Sequence, residues 1–405
     1  MAMALYWTPR GRWQVCPGRE DNGVQMMSVN FRLPGPTPLP PEVVEALGRD
    51  MIPHRGPAFR DFYRETLRLA RDLHRTDGDV LTWAATGSAG WEVAIVNLLS
   101  PGDRVLVAVN GNFGDRFARV AERFGLDVRR LDVPWGMPVL PEQIRSALAE
   151  HPDVSAGLLV HNETSTGVTN PMQDIAAAVR EHGALVIVDA VSAAGALPLH
   201  VDEWGIDFVF SGSQKAWMCP PGLLIAAVGP RAWDAYQRST YRRFFWDIGE
   251  ARKMAHQGMT PTTPPLSLLY AFRAALDMIS AEGLENVWQR HQCLGAFTRE
   301  GVRAAGLEVF AAEGYESDTV TAFRPPAGMG AREMLTRLRE RHGVEAQGGQ
   351  AHLTDQLVRI GHMGWVHEPE MREAIAAVKA VADEISEEVS VPAVDEPKAK
   401  APAKT

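Results

Sequence analysis

Cysteine is scarce in this chain of 405 residues: Cys16, Cys219 and Cys293 are all there are. They are scattered, odd in number and form no Cys-x-x-Cys pair. That speaks against a disulfide framework or a structural zinc site and fits a reducing compartment, the cytoplasm. Runs of one charge are missing too. The net charge of −9 is spread along the chain, so neither nucleic acid nor an anionic membrane is expected as a partner. No apolar run has the length of a membrane helix. The first residues carry Arg10, Arg12 and Arg19 but no apolar core of a secretory signal. Several catalytic signatures are also absent: Gly-x-Ser-x-Gly, a P-loop, Gly-x-Gly-x-x-Gly behind a strand, and His-Glu-x-x-His. Gly212 stands three before Lys215, which removes a Ser-x-x-Lys dyad. His54, His161 and His182 show no ligand spacing, so no metal is expected.

What is present is ordinary globular composition, 45% apolar and 22% charged, enough for one large core and a smaller one. Residues 1–30 mix Trp, Arg and Gly without period and read as an arm. Residues 391–405 are Pro, Ala and Lys without an apolar face and read as a disordered tail. Between them, short apolar strands at 79–83, 104–109, 156–160, 184–188, 207–210 and 222–228 alternate with amphipathic helices. This predicts an α/β fold with a mostly parallel sheet covered on both faces, spanning 31–280. Long helices and short strands follow, as a smaller α+β domain over 281–390. Its last helix begins near Pro369, a favoured position for proline.

In such sheets ligands bind beyond the carboxyl ends of the strands. The residues waiting there are Thr86-Gly87-Ser88, Phe113, Asn162-Glu163-Thr164, Asp189, and Gln214-Lys215. Each has a plain alternative: a helix cap, a core ring, a paired acid, a lysine reaching solvent. Together they match one ligand, pyridoxal 5'-phosphate. Its aldehyde needs a lysine amine of lowered pKa for a Schiff base, which Lys215 supplies from half-buried surroundings. Its pyridine nitrogen needs an ionised carboxylate, Asp189. Its phosphate suits hydroxyls and N–H groups at a helix N-terminus, and its ring wants an aromatic face.

The stretches "LPGPTPLPPEV", "NETSTGVTNP", "VDAVSAAGALPL", "DEWGIDFVFSGSQKAWMCPPGL" and "LVRIGHMG" resemble class V pyridoxal-phosphate aminotransferases, nearest the alanine–glyoxylate and serine–glyoxylate enzymes. The resemblance runs from about Leu33 to Ala382. It implies the fold-type-I, aspartate aminotransferase-like architecture, with a seven-stranded sheet, and a homodimer. It makes Lys215 the Schiff-base lysine, Asp189 the pyridinium partner and Gln214 a phosphate contact beside Thr86, Gly87 and Ser88. It gives Thr164 to the ring's phenolic oxygen, Phe113 to the ring face, Arg359 to the substrate carboxylate and Gly35 to the substrate pocket. Relatives often send a tyrosine and a threonine to the partner subunit's phosphate. Here "GMTPTTPPL" offers Thr262 or Thr263, with no tyrosine beside them. The expected reaction is transamination between alanine or serine and glyoxylate or pyruvate. A cysteine desulfurase-like lyase and an idle binding subunit of the same fold are the alternatives.

Overall fold

The structure, a computed structural model, describes residues 29–390 and, before them, the antiparallel strand pair Leu5–Trp7 and Trp13–Val15. The expected tail and most of the expected arm lie outside the described residues. The main sheet has seven strands: β1 (Asp79–Ala84), β2 (Arg104–Val109), β3 (Asp127–Asp132), β4 (Ala156–Val160), β5 (Leu185–Asp189), β6 (Phe208–Gly212) and β7 (Leu223–Val228). Their order is β1-β7-β6-β5-β4-β2-β3. All pairs are parallel except those of β7, which runs antiparallel to β6 and to β1. Every residue of β4 to β7 is buried, as a sheet covered on both faces requires.

β3 was not anticipated from sequence, because Asp127, Arg129, Arg130 and Asp132 break the apolar pattern. It is the sheet's edge, where charge deters pairing with another chain. Arg104 Nε holds Asp127 Oδ2 at 2.7 Å there.

Helix α1 (Ala89–Leu98) follows β1, and α2 (Asn112–Arg123) follows β2. Gly90 lies so close to the Phe210 ring that any Cβ would overlap it. α1 therefore sits lower on the sheet than another residue would allow.

Helices α3 (Leu266–Glu282) and α4 (Leu284–Ala304) end the larger core, which extends to Val287. A second apolar cluster runs from Leu294 to Ile385. It gathers α4, β8 (Val320–Phe323), α5 (Ala331–His342), β9 (Val358–Gly361) and α6 (Glu368–Ser390). Asn30–Phe31 pair in parallel with Val344–Glu345. The chain thus leaves this second cluster just before Leu33 and carries Pro34-Gly35 back to the ends of the main strands.

Candidate active site

β5 and β6 are parallel neighbours, so Asp189 and the turn after Gly212 share one edge of the sheet. That turn is tight. Met218 N donates to Lys215 O at 2.9 Å and Cys219 N to Ser213 O at 3.0 Å. Its root is Trp217, fully buried, whose indole N–H reaches Ser211 Oγ at 2.9 Å. From this footing Lys215 extends to Pro34 O, and Thr37 Oγ1 donates to its carbonyl at 3.0 Å. Gly35 adopts φ +109, and a Cβ there would stand 2.5 Å from Lys215 Nζ. Only glycine fits beside that amine. Burial lowers the Lys215 amine to about 8, helped by the Arg359 cation and opposed by Asp189.

Asp189 is 4% exposed. Its Oδ2 accepts the Trp91 indole N–H at 2.8 Å and its Oδ1 accepts Val191 N at 2.9 Å. Burial lifts it to about 7; the two hydrogen bonds pull it back down, Glu163 adds to the rise and Lys215 opposes it. A cationic ring nitrogen set against it would favour the ionised form.

Thr86 and Ser88 stand exposed at the entry to α1, with Gly87 buried between them. A Cβ on Gly212 would lie 2.8 Å from Gln214 Oε1 and 3.2 Å from Gly87 N, so this loop and the lysine turn meet. Gln214 Oε1 is buried without a partner among the described residues, an open polar group of the kind native structures fill. Rotating the amide half a turn offers its NH2 instead. A hydroxyl-lined helix entry with an unsatisfied amide fits a phosphate.

Thr164 Oγ1 donates to Ser192 Oγ at 2.6 Å, and Thr164 O accepts Arg359 Nη1 at 3.1 Å. Arg359 Nε also donates to Gly348 O at 2.9 Å. This guanidinium is buried, and burial lowers it to about 10 while Glu163 opposes the shift. Arg359 is second in β9, paired across to Ala322. The guanidinium is therefore carried by a strand interior, a stiffer base than a loop. Phe113 is half-buried, its amide bonded to Glu163 Oε2 at 3.0 Å.

Thr262 and Thr263 are exposed on a turn braced by Arg55, which donates to Thr260 O at 2.9 Å. Among the described residues no contact joins either to the Lys215 cluster. Thr263 instead lines an open apolar cleft of about 560 Å³ with Leu47, Met51, Pro220 and Leu268.

Trp91 and Ser192 were not singled out from sequence, and Glu163 was noted at a strand end without a role. Trp91 reads as one more apolar residue of a helix. Glu163 lies inside the quoted "NETSTG", but its hydrogen-bond donors include amides of distant α2. Of the thiols, Cys219 is fully buried and burial pushes its pKa upward, and Cys293 is exposed within α4. Neither sits on a loop over Lys215.

The architecture is that of fold-type-I pyridoxal-phosphate enzymes, shared with the crystal structure of an alanine–glyoxylate aminotransferase from Nostoc sp. That structure aligns with TM-score 0.84 at 33% identity, covering 89% of this chain and 96% of that one. Residues 29–366 match the Aminotransferase class-V family model, and the chain belongs to that family. A serine–glyoxylate aminotransferase of Methylorubrum extorquens is 37% identical over 86% of this chain and 89% of its own length. A protein named soluble hydrogenase, small subunit, from Synechococcus sp. is 42% identical over 87% and 92% respectively.

Proposed function

We propose that this chain is an aminotransferase that holds pyridoxal phosphate on Lys215 and moves an amino group between a small amino acid, alanine or serine, and a small 2-oxo acid, glyoxylate or pyruvate. The observation that carries the reading is that Asp189 and Lys215 follow neighbouring parallel strands while Arg359 reaches Thr164 O just past β4, so that a carboxylate and a guanidinium both act on the Lys215 amine. The cofactor supplies the electron sink that makes the amino acid's α-proton removable. The chain's own residues do the rest. Asp189 presents a carboxylate to the ring nitrogen. Thr86, Gly87, Ser88 and Gln214 hold the phosphate, Thr164 faces the phenolic oxygen and Phe113 covers the ring. Lys215, with an amine near neutrality, accepts and returns the proton at the substrate carbon. Arg359 grips the substrate carboxylate as a planar fork that lysine cannot copy. Gly35 leaves room for a small side chain.

The chain works as a homodimer in which Thr262 or Thr263 reaches the partner subunit's phosphate. The exposed turn and the apolar cleft beside it support that arrangement. The name carried by the Synechococcus relative comes with no matching feature of this cluster. The test is borohydride trapping followed by peptide mapping. Wild type is expected to carry the cofactor on the peptide containing Lys215, and Lys215→Ala to carry none while staying folded. Trapping at another lysine would overturn the assignment. Conversion of the visible band by alanine or serine, and its return with glyoxylate or pyruvate, tests the substrate class. Sulfide release from cysteine at comparable rates would favour the lyase.

A further inference from the structure

We propose that Trp91 is a positioning residue for this reaction, its indole N–H fixing the Asp189 carboxylate in the orientation that meets the ring nitrogen. The proposal rests on the reading that pyridoxal phosphate occupies this crevice. A carboxylate held at one oxygen can still turn about its Cβ–Cγ bond. Asp189 is held at both, by Trp91 Nε1 at 2.8 Å and Val191 N at 2.9 Å. Turning it would break both bonds. Each oxygen retains a further acceptor site after one bond, so the pair is locked without being saturated.

Trp91 reaches Asp189 because of where α1 lies. Gly90 lets the helix settle against Phe210, which places the next residue beside the end of β5. The Trp91 ring is 3% exposed and packs on Phe117, with centroids 6.0 Å apart. Shape alone would be satisfied there by other aromatic rings; the N–H is the part that finds Asp189. In such a dry setting a hydrogen bond to charge is stronger and its loss more costly. The Arg116 guanidinium carbon lies 4.9 Å from the indole centroid. A cation on that face draws electron density from the ring and sharpens its N–H as a donor. The charged groups facing Asp189 are Lys215 and Glu163, with Arg116 acting across the indole.

The experiment replaces the donor and keeps the ring: Trp91→Phe, and 3-benzothienylalanine at position 91, in which sulfur replaces the indole N–H. Both are reconstituted with pyridoxal phosphate. The visible absorption is expected to titrate at a shifted pH. We expect kcat to fall about 10- to 100-fold, as for a lost charge-assisted hydrogen bond, with KM nearly unchanged. A merely structural role would lower the melting temperature and leave the pH profile and the kcat-to-KM split as in wild type, and that result overturns the proposal. If Trp91→Phe does not fold, the sulfur isostere decides. If wild type takes up no cofactor, the proposed function fails separately. The apoprotein then decides through its 1H–15N spectrum. The indole resonance of Trp91 is expected to move with pH and to lose that movement in Asp189→Asn; indifference to that substitution overturns the proposal.

Discussion

The ends of β4 and β5 are neighbours in the sheet, and each buries a carboxylate, yet the two are furnished differently. Glu163, just past β4, accepts Phe113 N at 3.0 Å, Gly114 N at 3.1 Å, Ser165 N at 3.0 Å and Ser165 Oγ at 2.5 Å. Two of those amides belong to the first turn of α2, where a negative group also suits the helix dipole. Asp189 receives one N–H at each oxygen. Burial raises both carboxylates above their ordinary range, so burial is not what separates them. The number of donors is. Glu163 has its acceptor sites filled by the chain and fixes α2, and with it the backbone of Phe113. Asp189 keeps capacity for a partner the chain does not supply.

The largest effect expected from this contrast is on rate. Asp189→Asn should slow conversion of the visible band by alanine or serine about 10²- to 10³-fold, the scale of losing a main electrostatic contact. Rapid mixing measures it, and a rate near wild type would erase the distinction between the two acids.

A second expectation concerns pH and the apoprotein. Folded Asp189 holds its proton up to about pH 7, whereas the unfolded chain releases it near about pH 4. Its contribution to stability is therefore full below about pH 4 and lost as pH climbs toward 7. Asp189→Asn abolishes that loss. Between these pH values the apo variant should gain on apo wild type by up to a few kcal/mol, read from urea midpoints at several pH values. A constant difference across the range would mean that Asp189 is not held neutral by burial. Lys215, lowered to about 8 by burial, acts in the opposite sense at higher pH. It is common to both proteins and largely cancels.

The smallest effect sharpens the other half of the contrast. Glu163→Gln keeps the shape but turns an NH2 toward amides that need an acceptor. It should cost about 1–3 kcal/mol of stability, as for buried donors left unsatisfied. Turnover per folded molecule should fall far less than in Asp189→Asn. Equal losses of rate, with stability intact, would place Glu163 in the chemistry and undo the comparison.

Much of this was legible beforehand. Lys215, Asp189 and the Thr86–Ser88 loop follow apolar runs, and a strand's end can be read where the run stops. Six strands of the main sheet were visible for that reason. β3 was not, because an edge strand buries little and its charges conceal the alternation. The antiparallel direction of β7 was equally hidden, since direction leaves no mark on local composition. Trp91 escaped notice because an indole among apolar helix residues has the same pattern whether its N–H is spent or not. Its partner stands 98 residues further along the chain.

The sequence by itself determined most of the elements of the main sheet and which reactive groups stand at their ends, because side-chain periodicity and turn residues act over a few positions. Only the tertiary structure decided which of those groups share a crevice and how each is furnished. Glu163 is saturated by Ser165 together with amides of a helix some fifty residues away. Asp189 is left with room, locked by an indole from α1. Arg359 reaches across from the second cluster to Thr164 O at 3.1 Å. These are long-range pairings, set by the order of strands and the height of a helix on the sheet, and hydrogen-bond capacity becomes countable only after the chain has folded.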